Sequence, residues 1–251
     1  MFTDTHCHFE PQYYDNYEEI INKSLKNGVN RLIVSGCSII GNTESLNLSK
    51  NYDNIFSTIG YHPDQAEKFD DEMLKILEDM IINNKEKVVG IGEIGLDYHY
   101  EGYDKEKQHM LFKAQLDLAT KLNLPVVIHS RDAVEDTINI LKQYNLKGVI
   151  HSFSGSYETA TIYLKMGYKL GINGVVTFKN SKLKETLSKL TPNDLVLETD
   201  SPYLTPEPYR GQKNDSSNIP IIADFISNIY NISLEDLSEI TNNNIKSVFD
   251  I

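Results

Sequence analysis

The sequence is short of cysteine, of long apolar segments and of positive charge. Its 251 residues include two cysteines, Cys7 and Cys37, too few for a disulfide framework, so a reduced, cytoplasmic setting is expected. No apolar run approaches the roughly 20 residues that a membrane-spanning helix needs, so we expect no membrane association. The first strand-like segment reaches the polar His6 too early for a secretory signal.

Acidic residues outnumber basic ones, 36 to 24, and the net charge is −12. This excess argues against broad, nonspecific adhesion to nucleic acid. It does not exclude an enzyme that acts on nucleic acid and whose positive charge is local or supplied by bound metal. The chain length suits either one α/β barrel or two smaller domains.

Strand-like and helix-like segments alternate along the chain without a linker or a low-complexity break. Apolar runs predict strands at 1–8, 31–37, 55–60, 87–98, 124–132, 148–155, 168–176 and 194–202. Helical periodicity predicts helices at 17–28, 42–52, 70–84, 105–123, 134–145, 157–167, about 180–190, 219–231 and 233–249. Eight strands, each followed by a helix, predict a single-domain (β/α)8 TIM barrel over residues 1–251.

An open, doubly wound α/β sheet is the alternative fold for such an alternation. That fold usually carries a glycine-rich phosphate loop after its first strand. Here the first strand ends in His6-Cys7-His8 instead, so the barrel is favoured.

Histidines and carboxylates recur where the predicted strands end. His6 and His8 project from the same side of the first strand, because alternate side chains face the same way, and they can bind one divalent cation together. The other polar residues at or near strand ends are His62, Glu93, His129, His151 and Asp200. In a barrel, the carboxyl ends of all strands surround one pocket, so these side chains are expected to converge there.

Each of these residues also has an ordinary structural explanation. His129 and His151 could be hydrogen-bonded core histidines, and Asp200 could cap a turn. Glu93 lies in an apolar strand, where a buried carboxylate needs a cation or hydrogen-bond donors. Their equivalent positions favour a shared metal site, while a supporting role for Glu198, on the same strand as Asp200, is left open.

Several motifs together resemble one known family. They are THCH (5–8), GYHPD (60–64), GEIGLDYH (92–99), PVVIHSRDA (125–133), HSFSG (151–155), GVVTFKN (174–180), LETDSPYLTP (197–206) and RGQKN (210–214). In this order they resemble the TatD family of metal-dependent deoxyribonucleases, which belongs to the amidohydrolase superfamily of barrels. The resemblance runs from residue 2 to the C-terminus. Ser152 departs from it, because many relatives carry cysteine there.

The resemblance implies a site for two divalent ions, with Mg, Mn and Zn all compatible with the donors. One ion would be held by His6, His8, Glu93 and Asp200. The other would be held by Glu93, His129 and His151, with Glu93 bridging. Asp200 is the candidate general base, and the two ions would make the pocket positive within an acidic protein.

The resemblance also implies hydrolysis of DNA phosphodiester bonds, as an exonuclease on single-stranded ends. The candidates for contacting substrate phosphates are His62, Arg131, Lys179 and Arg210. For Arg131 the alternative is an ion pair with Asp132 or Glu135. No protein partner is evident.

Two other functions remain open from the sequence. An amidohydrolase-type barrel that hydrolyses a small amide, ester or phosphoester would share the catalytic residues and differ in loops 99–106 and 203–217. A metal-bearing barrel that only binds a partner is disfavoured, because a structural metal site is closed by protein ligands and leaves no open position.

Overall fold

Eight parallel strands form one continuous sheet that closes on itself. The computed structural model describes residues 1–251, and its strands are hydrogen-bonded in chain order from first to last. The strands are β1 Phe2–Cys7, β2 Val29–Ser35, β3 Ile55–Ile59, β4 Val88–Asp97, β5 Val126–Arg131, β6 Gly148–Ile150, β7 Tyr168–Ile172 and β8 Leu195–Leu197. This order confirms the predicted (β/α)8 TIM barrel, because a doubly wound sheet has a permuted strand order.

The first and last strands meet through backbone groups beside the candidate metal ligands. Cys7 and Ser201 form a parallel bridge. The His8 N–H donates to the Ser201 carbonyl at 2.8 Å, and the Asp200 N–H donates to the His6 carbonyl at 2.9 Å. The closure of the barrel therefore sets where Asp200 lies relative to the two N-terminal histidines.

A buried carboxylate reinforces this closure. Asp4 lies in β1 and is fully buried. Its Oδ1 accepts hydrogen bonds from the N–H of Thr199 at 2.9 Å and of His6 at 3.3 Å. Its Oδ2 accepts one from the Thr199 hydroxyl at 2.6 Å. One side chain thus ties the β8 end of the barrel to β1.

Helices cover the outside of the barrel. They are α1 Tyr17–Lys26, α2 Ile39–Asn51, α3 Asp71–Ile82, α4 Lys105–Leu122, α5 Val134–Leu141, α6 Tyr157–Lys165, α7 Leu183–Leu187, α8 Ile219–Tyr230 and α9 Leu234–Phe249. Ser38, Asp70 and Asp104 each accept a backbone N–H at the start of α2, α3 and α4, as N-cap residues do. None of these helices combines the length and the apolar character needed to cross a bilayer.

Helix α9 fills the N-terminal end of the barrel. Side chains from five strands pack with the last turns of this helix in one buried apolar cluster of Ile33, Val89, Val127, Val149, Val196, Ile245, Val248 and Phe249. A larger apolar core packs the strands against the surrounding helices. The N-terminal end is therefore filled with apolar side chains, and the candidate polar site lies at the opposite end.

Several strands end earlier than the sequence predicts. The predicted strands 148–155 and 194–202 are observed as Gly148–Ile150 and Leu195–Leu197. Ser152 has a φ of 49° and Asp200 a φ of 54°, in the left-handed region, which interrupts a strand. His151 and Asp200 therefore lie just beyond the ends of β6 and β8, and the backbone around Asp200 still pairs with the end of β1.

Candidate metal centre

The six side chains predicted as metal ligands lie together at the C-terminal mouth of the barrel. They are His6, His8, Glu93, His129, His151 and Asp200. The His6 side chain is fully buried, whereas that of Asp200 is 14% exposed. The group is therefore buried around His6 and reaches the pocket at Asp200 and at His129, whose side chain is 16% exposed.

Glu93 lies at the centre of the group, and its two oxygens face different imidazoles. Oε2 lies 3.3 Å from His6 Nε2 and 3.7 Å from His8 Nε2. Oε1 lies 2.7 Å from His129 Nδ1 and 3.6 Å from His151 Nε2. One carboxylate thus separates the histidines into two pairs.

Asp200 lies beside the first pair of histidines and also 3.7 Å from His151 Nε2. Its Oδ1 lies 3.5 Å from His8 Nε2 and 3.9 Å from His6 Nε2, and the two Nε2 atoms are 3.1 Å apart. Donors about 2.1 Å from one ion lie about 3.4 Å apart in tetrahedral geometry. The spacing of these atoms therefore fits a shared divalent cation.

Two of the imidazoles have hydrogen-bond partners on the side away from the central carboxylate, and a second carboxylate lies close behind a third imidazole. His8 Nδ1 donates to the Ser35 carbonyl at 2.9 Å, and the Ser35 hydroxyl lies 3.1 Å from His6 Nδ1. His151 Nδ1 lies 3.0 Å from Glu198 Oε1. Such partners direct the opposite nitrogen of each ring into the cluster.

Asp97 and Ser35 are supporting residues that the sequence analysis does not identify. Asp97 Oδ2 lies 3.3 Å from His129 Nε2. Because Asp97 follows Glu93 by an even number of residues in β4, strand alternation could have placed both on one side. No pattern in the sequence marks Ser35, at the end of β2, as a residue of the site. Glu198, whose role was left open, is fully buried against His151.

Charges in this cluster are strongly coupled. Burial alone would raise the pKa of Glu93, but the charge of His151 and a hydrogen bond from His129 hold it well below its usual range. Burial alone would lower the pKa of His129, but Asp97 helps to raise it to about 9. Burial alone would lower the pKa of His151, but the neighbouring carboxylates, Glu198 first, raise it to about 10. A cation binding here would therefore displace protons from imidazoles.

Arg131 lies at the mouth without a carboxylate partner. Its guanidinium carbon is 5.3 Å from the ring centroid of Tyr100, and its Nη1 donates to the Tyr100 hydroxyl at 3.3 Å. It pairs with neither Asp132 nor Glu135, and Asp132 is instead 2.9 Å from His99 Nδ1. The guanidinium therefore remains available to an anion.

Arg210 and Lys179 lie on the loops that follow β8 and β7. Both residues are exposed. The Arg210 guanidinium carbon lies 4.2 Å from the ring centroid of Phe178, the residue before Lys179. This stacking joins the loop after β8 to the loop after β7.

His62 has different surroundings from these three cations. Its Nδ1 lies 3.1 Å from Asp64 Oδ1, and its ring centroid is 4.7 Å from that of His129. Its other close neighbour is Asp97, with donor atoms of all three groups within 4.8 Å. His62 thus has two carboxylates close to it.

Comparisons with known proteins agree with this architecture. A family model described as TatD related DNase matches residues 3–250. The chain is 39% identical over 256 residues to YabD, an uncharacterized metal-dependent hydrolase of Bacillus subtilis, with 100% of both chains covered. The crystal structure of YjjV, a TatD homologue from Escherichia coli K12, matches with a TM-score of 0.94 at 30% identity, covering 100% of this chain and 98% of that one. A TatD-family hydrolase from Entamoeba histolytica matches with a TM-score of 0.89 at 25% identity, covering 99% and 97%.

These similarities extend along the whole barrel and include every strand end that carries a candidate ligand. They agree with the motifs around His6, Glu93 and Asp200 that suggested the family from the sequence. The chain belongs to the TatD-related DNase family and is a metal-dependent hydrolase.

Proposed function

We propose that this hydrolase cleaves DNA phosphodiester bonds as an exonuclease acting on single-stranded ends. The observation that carries the proposal is the position of Glu93, whose Oε2 faces His6 and His8 while Oε1 faces His129 and His151. This arrangement suits two divalent ions that share one carboxylate, a type of site used for phosphodiester hydrolysis. The DNase description of the family supports the substrate class. Mg, Mn and Zn all remain compatible with the donors.

Asp200 is the proposed general base of the reaction. Bound divalent ions would lower the pKa of water from about 15.7 towards about 7 and offset charge on the phosphate. Burial alone would raise the pKa of Asp200, but His151 and His8 lower it, so the carboxylate is ionised at neutral pH. Its 14% exposed side chain reaches the pocket, where it can accept the proton of the attacking water.

Three exposed cations at the mouth are proposed to hold substrate phosphates. Arg131, Lys179 and Arg210 come from the ends or loops of β5, β7 and β8, so they lie at separate points around the pocket. A charged hydrogen bond of this kind contributes about 1.5–3 kcal/mol. The fourth predicted contact is His62, which lies beside carboxylates. It can contact a phosphate only if a cation lies between His62 and the phosphate.

Exposed tyrosines on the loops of the mouth are proposed to stack unpaired bases. Tyr100, Tyr203 and Tyr209 are 66%, 50% and 46% exposed. The Tyr203 hydroxyl donates to that of Tyr13 at 2.9 Å, which fixes one of these rings. Stacking on an aromatic face contributes about 1–3 kcal/mol per base and tolerates any sequence. The bases of a single strand have exposed faces that can stack on a tyrosine, whereas the bases of a duplex are already stacked on one another.

End-labelled oligonucleotides test the proposed activity. The protein is treated with chelator and then supplied with Mg, Mn or Zn, each in a separate reaction. We expect stepwise shortening of linear single strands that chelation abolishes and one of these ions restores. Circular single-stranded DNA is the matched control, and it should remain intact because it has no end.

The same experiment separates the two enzymatic hypotheses. A panel of small chromogenic amides, esters and phosphoesters is assayed beside the oligonucleotides. Rapid turnover of one small substrate with no cleavage of any oligonucleotide would support the amidohydrolase-type alternative and reject the nuclease.

We also infer that the protein works in the cytoplasm. Cys7 and Cys37 are both free thiols, and Cys37 Sγ lies 3.4 Å from Glu93 Oε2. Oxidation of Cys37 would place new polar atoms against that carboxylate, which a reducing compartment prevents. Immunodetection in fractionated cells tests this inference, and recovery outside the cytoplasmic fraction would contradict it.

A further inference from the structure

A third group of donor atoms lies at the rim of the mouth and is called here the rim group. It consists of His62, Asp97 and His129, whose donor atoms lie within 4.8 Å of one another. Their side chains are 19%, 7% and 16% exposed, respectively. The rim group is thus more open to solvent than the fully buried His6.

Asp97 is oriented to serve this group. Its Oδ1 accepts a hydrogen bond from the His99 N–H at 2.9 Å, which anchors the carboxylate. Its Oδ2 lies 3.3 Å from His129 Nε2. This separation is close to the about 3.4 Å expected between two donors of one tetrahedral ion.

His62 can be oriented in the same way by Asp64. The Asp64 N–H donates to His62 Nδ1 at 3.3 Å, and Asp64 Oδ1 lies 3.1 Å from the same nitrogen. When Nε2 ligates an ion, Nδ1 carries the proton and donates to the Asp64 carboxylate, in place of accepting from the Asp64 N–H. Two imidazoles and a carboxylate suit zinc and other first-row divalent ions.

The chemistry of the rim group favours a cation over a phosphate. Asp64 and Asp97 both place negative charge close to His62. A phosphate in direct contact with His62 would meet this charge, whereas a divalent ion is attracted by it.

His129 belongs both to the rim group and to an inner group. Its Nδ1 faces Glu93 at 2.7 Å and its Nε2 faces Asp97 at 3.3 Å. A neutral imidazole offers one lone pair, so His129 serves an ion in one group at a time. We propose that the rim group binds a divalent ion as an alternative to the inner group that contains Glu93 and His151. The rim position, nearer to solvent, is the entry point of the second ion.

Zinc binding by a Glu93→Gln variant tests the proposal. This change removes the shared carboxylate of the inner groups and leaves the rim group intact. Calorimetric titration with Zn²⁺ and elemental analysis should find two ions per molecule, one with the donors His6, His8 and Asp200 and one at the rim. Adding His62→Ala to this variant should lower the affinity for the second ion by about 10- to 100-fold.

A matched substitution in the inner group provides the control. In the same Glu93→Gln background, His151→Asn should leave the second ion bound about as tightly as before. Loss of that ion with His151→Asn but not with His62→Ala would place it in the inner group and overturn the proposal. Binding of a single ion by Glu93→Gln would also overturn it.

Two further measurements cover variants that fold poorly. If melting curves show that Glu93→Gln is unfolded, Glu93→Asp is used in its place, because it shortens the shared carboxylate side chain. If His62→Ala is unfolded, Asp97→Asn is used in its place. Anomalous scattering from Zn²⁺-soaked crystals of the folded Glu93 variant should show a peak between His62 and Asp97, and its absence contradicts the proposal. The inference rests on the two-ion site of the proposed function. None of its tests uses DNA, so it can fail or succeed independently of the nuclease assignment.

Discussion

Asp200 adopts a left-handed backbone conformation, with φ of 54°, while its N–H donates to the His6 carbonyl. Aspartate tolerates this region better than most residues, although the conformation still carries an energetic cost. In this conformation the Asp200 carboxylate lies 3.5 Å from His8 Nε2. At this scale the site depends on single residues whose backbone and side chain are both constrained.

Replacing Asp200 by asparagine tests its proposed role as the base. The amide keeps the size of the side chain, so the melting temperature should stay near that of the wild type. It cannot accept the proton, so kcat on an oligonucleotide should fall by about 10²- to 10⁴-fold. A melting temperature that falls together with kcat would assign Asp200 a structural role. His99→Ala is the control, because that imidazole is exposed and pairs with Asp132.

Affinity for divalent ions is expected to increase with pH. Burial opposes protonation of His129 and His151, but neighbouring carboxylates raise their pKa values to about 9 and about 10. Below these values each ring holds a proton that an ion must displace, so affinity should rise from about pH 6 to about pH 9. Calorimetry in buffers of different protonation enthalpy measures the protons released. Binding without proton release at about pH 7 would show that the rings are already neutral.

At the scale of elements, the site depends on how closely β4 and β5 approach. Gly95 in β4 has a φ of 150°, and a Cβ there would lie 1.9 Å from the His129 carbonyl oxygen. The absence of a side chain lets the two strands pair at this level. With the strands paired in this way, Glu93 Oε1 lies 2.7 Å from His129 Nδ1.

Gly95→Ala should therefore separate these strands and weaken the fold. We expect a loss of about 1–3 kcal/mol in the free energy of unfolding, as overpacking usually causes, and a drop of roughly 2–10 °C in melting temperature. Gly102→Ala is the matched control, since Gly102 also has a positive φ, 86°, but has open space around it. If Gly102→Ala loses more stability than Gly95→Ala, backbone strain and not the close approach of the two strands is the cause of the loss.

At the scale of the whole molecule, a net charge of −12 opposes the approach of a polyanion. The proposed binding of DNA therefore requires positive charge concentrated at the mouth. Arg131 and Arg210 stack on aromatic rings and keep their charge free of carboxylate partners. The acidic remainder of the surface then discourages binding elsewhere.

Arg210→Ala tests whether this local charge holds the substrate. Losing one charged hydrogen bond should lower kcat/KM on an oligonucleotide by roughly 10- to 150-fold and flatten its salt dependence by about one counterion. Activity on a small chromogenic phosphodiester should barely change, because that substrate has no neighbouring phosphate. Lys85→Ala removes a positive charge before β4, at the other end of the barrel, and should change neither activity. Equal losses on both substrates would instead place Arg210 at the scissile phosphate.

The order and type of the elements could be predicted because the patterns that produce them are local. Apolar runs and helical periodicity identify the eight strands and their helices, and strand alternation puts His6 and His8 on one side. The limits of elements are less predictable. The helix expected at about 180–190 is observed as Leu183–Leu187. The strand expected at 194–202 ends at Leu197, ahead of the positive φ of Asp200.

The sequence by itself determined the barrel, the family and the residue types gathered at its mouth. Only the tertiary structure decided how these residues are used. It set Ser35 behind both His6 and His8, and it turned the two nitrogens of His129 towards Glu93 and Asp97. These contacts join residues far apart in the chain, and they depend on strand register and barrel closure. No local pattern of side chains records such distances, because they arise only when the whole sheet has closed.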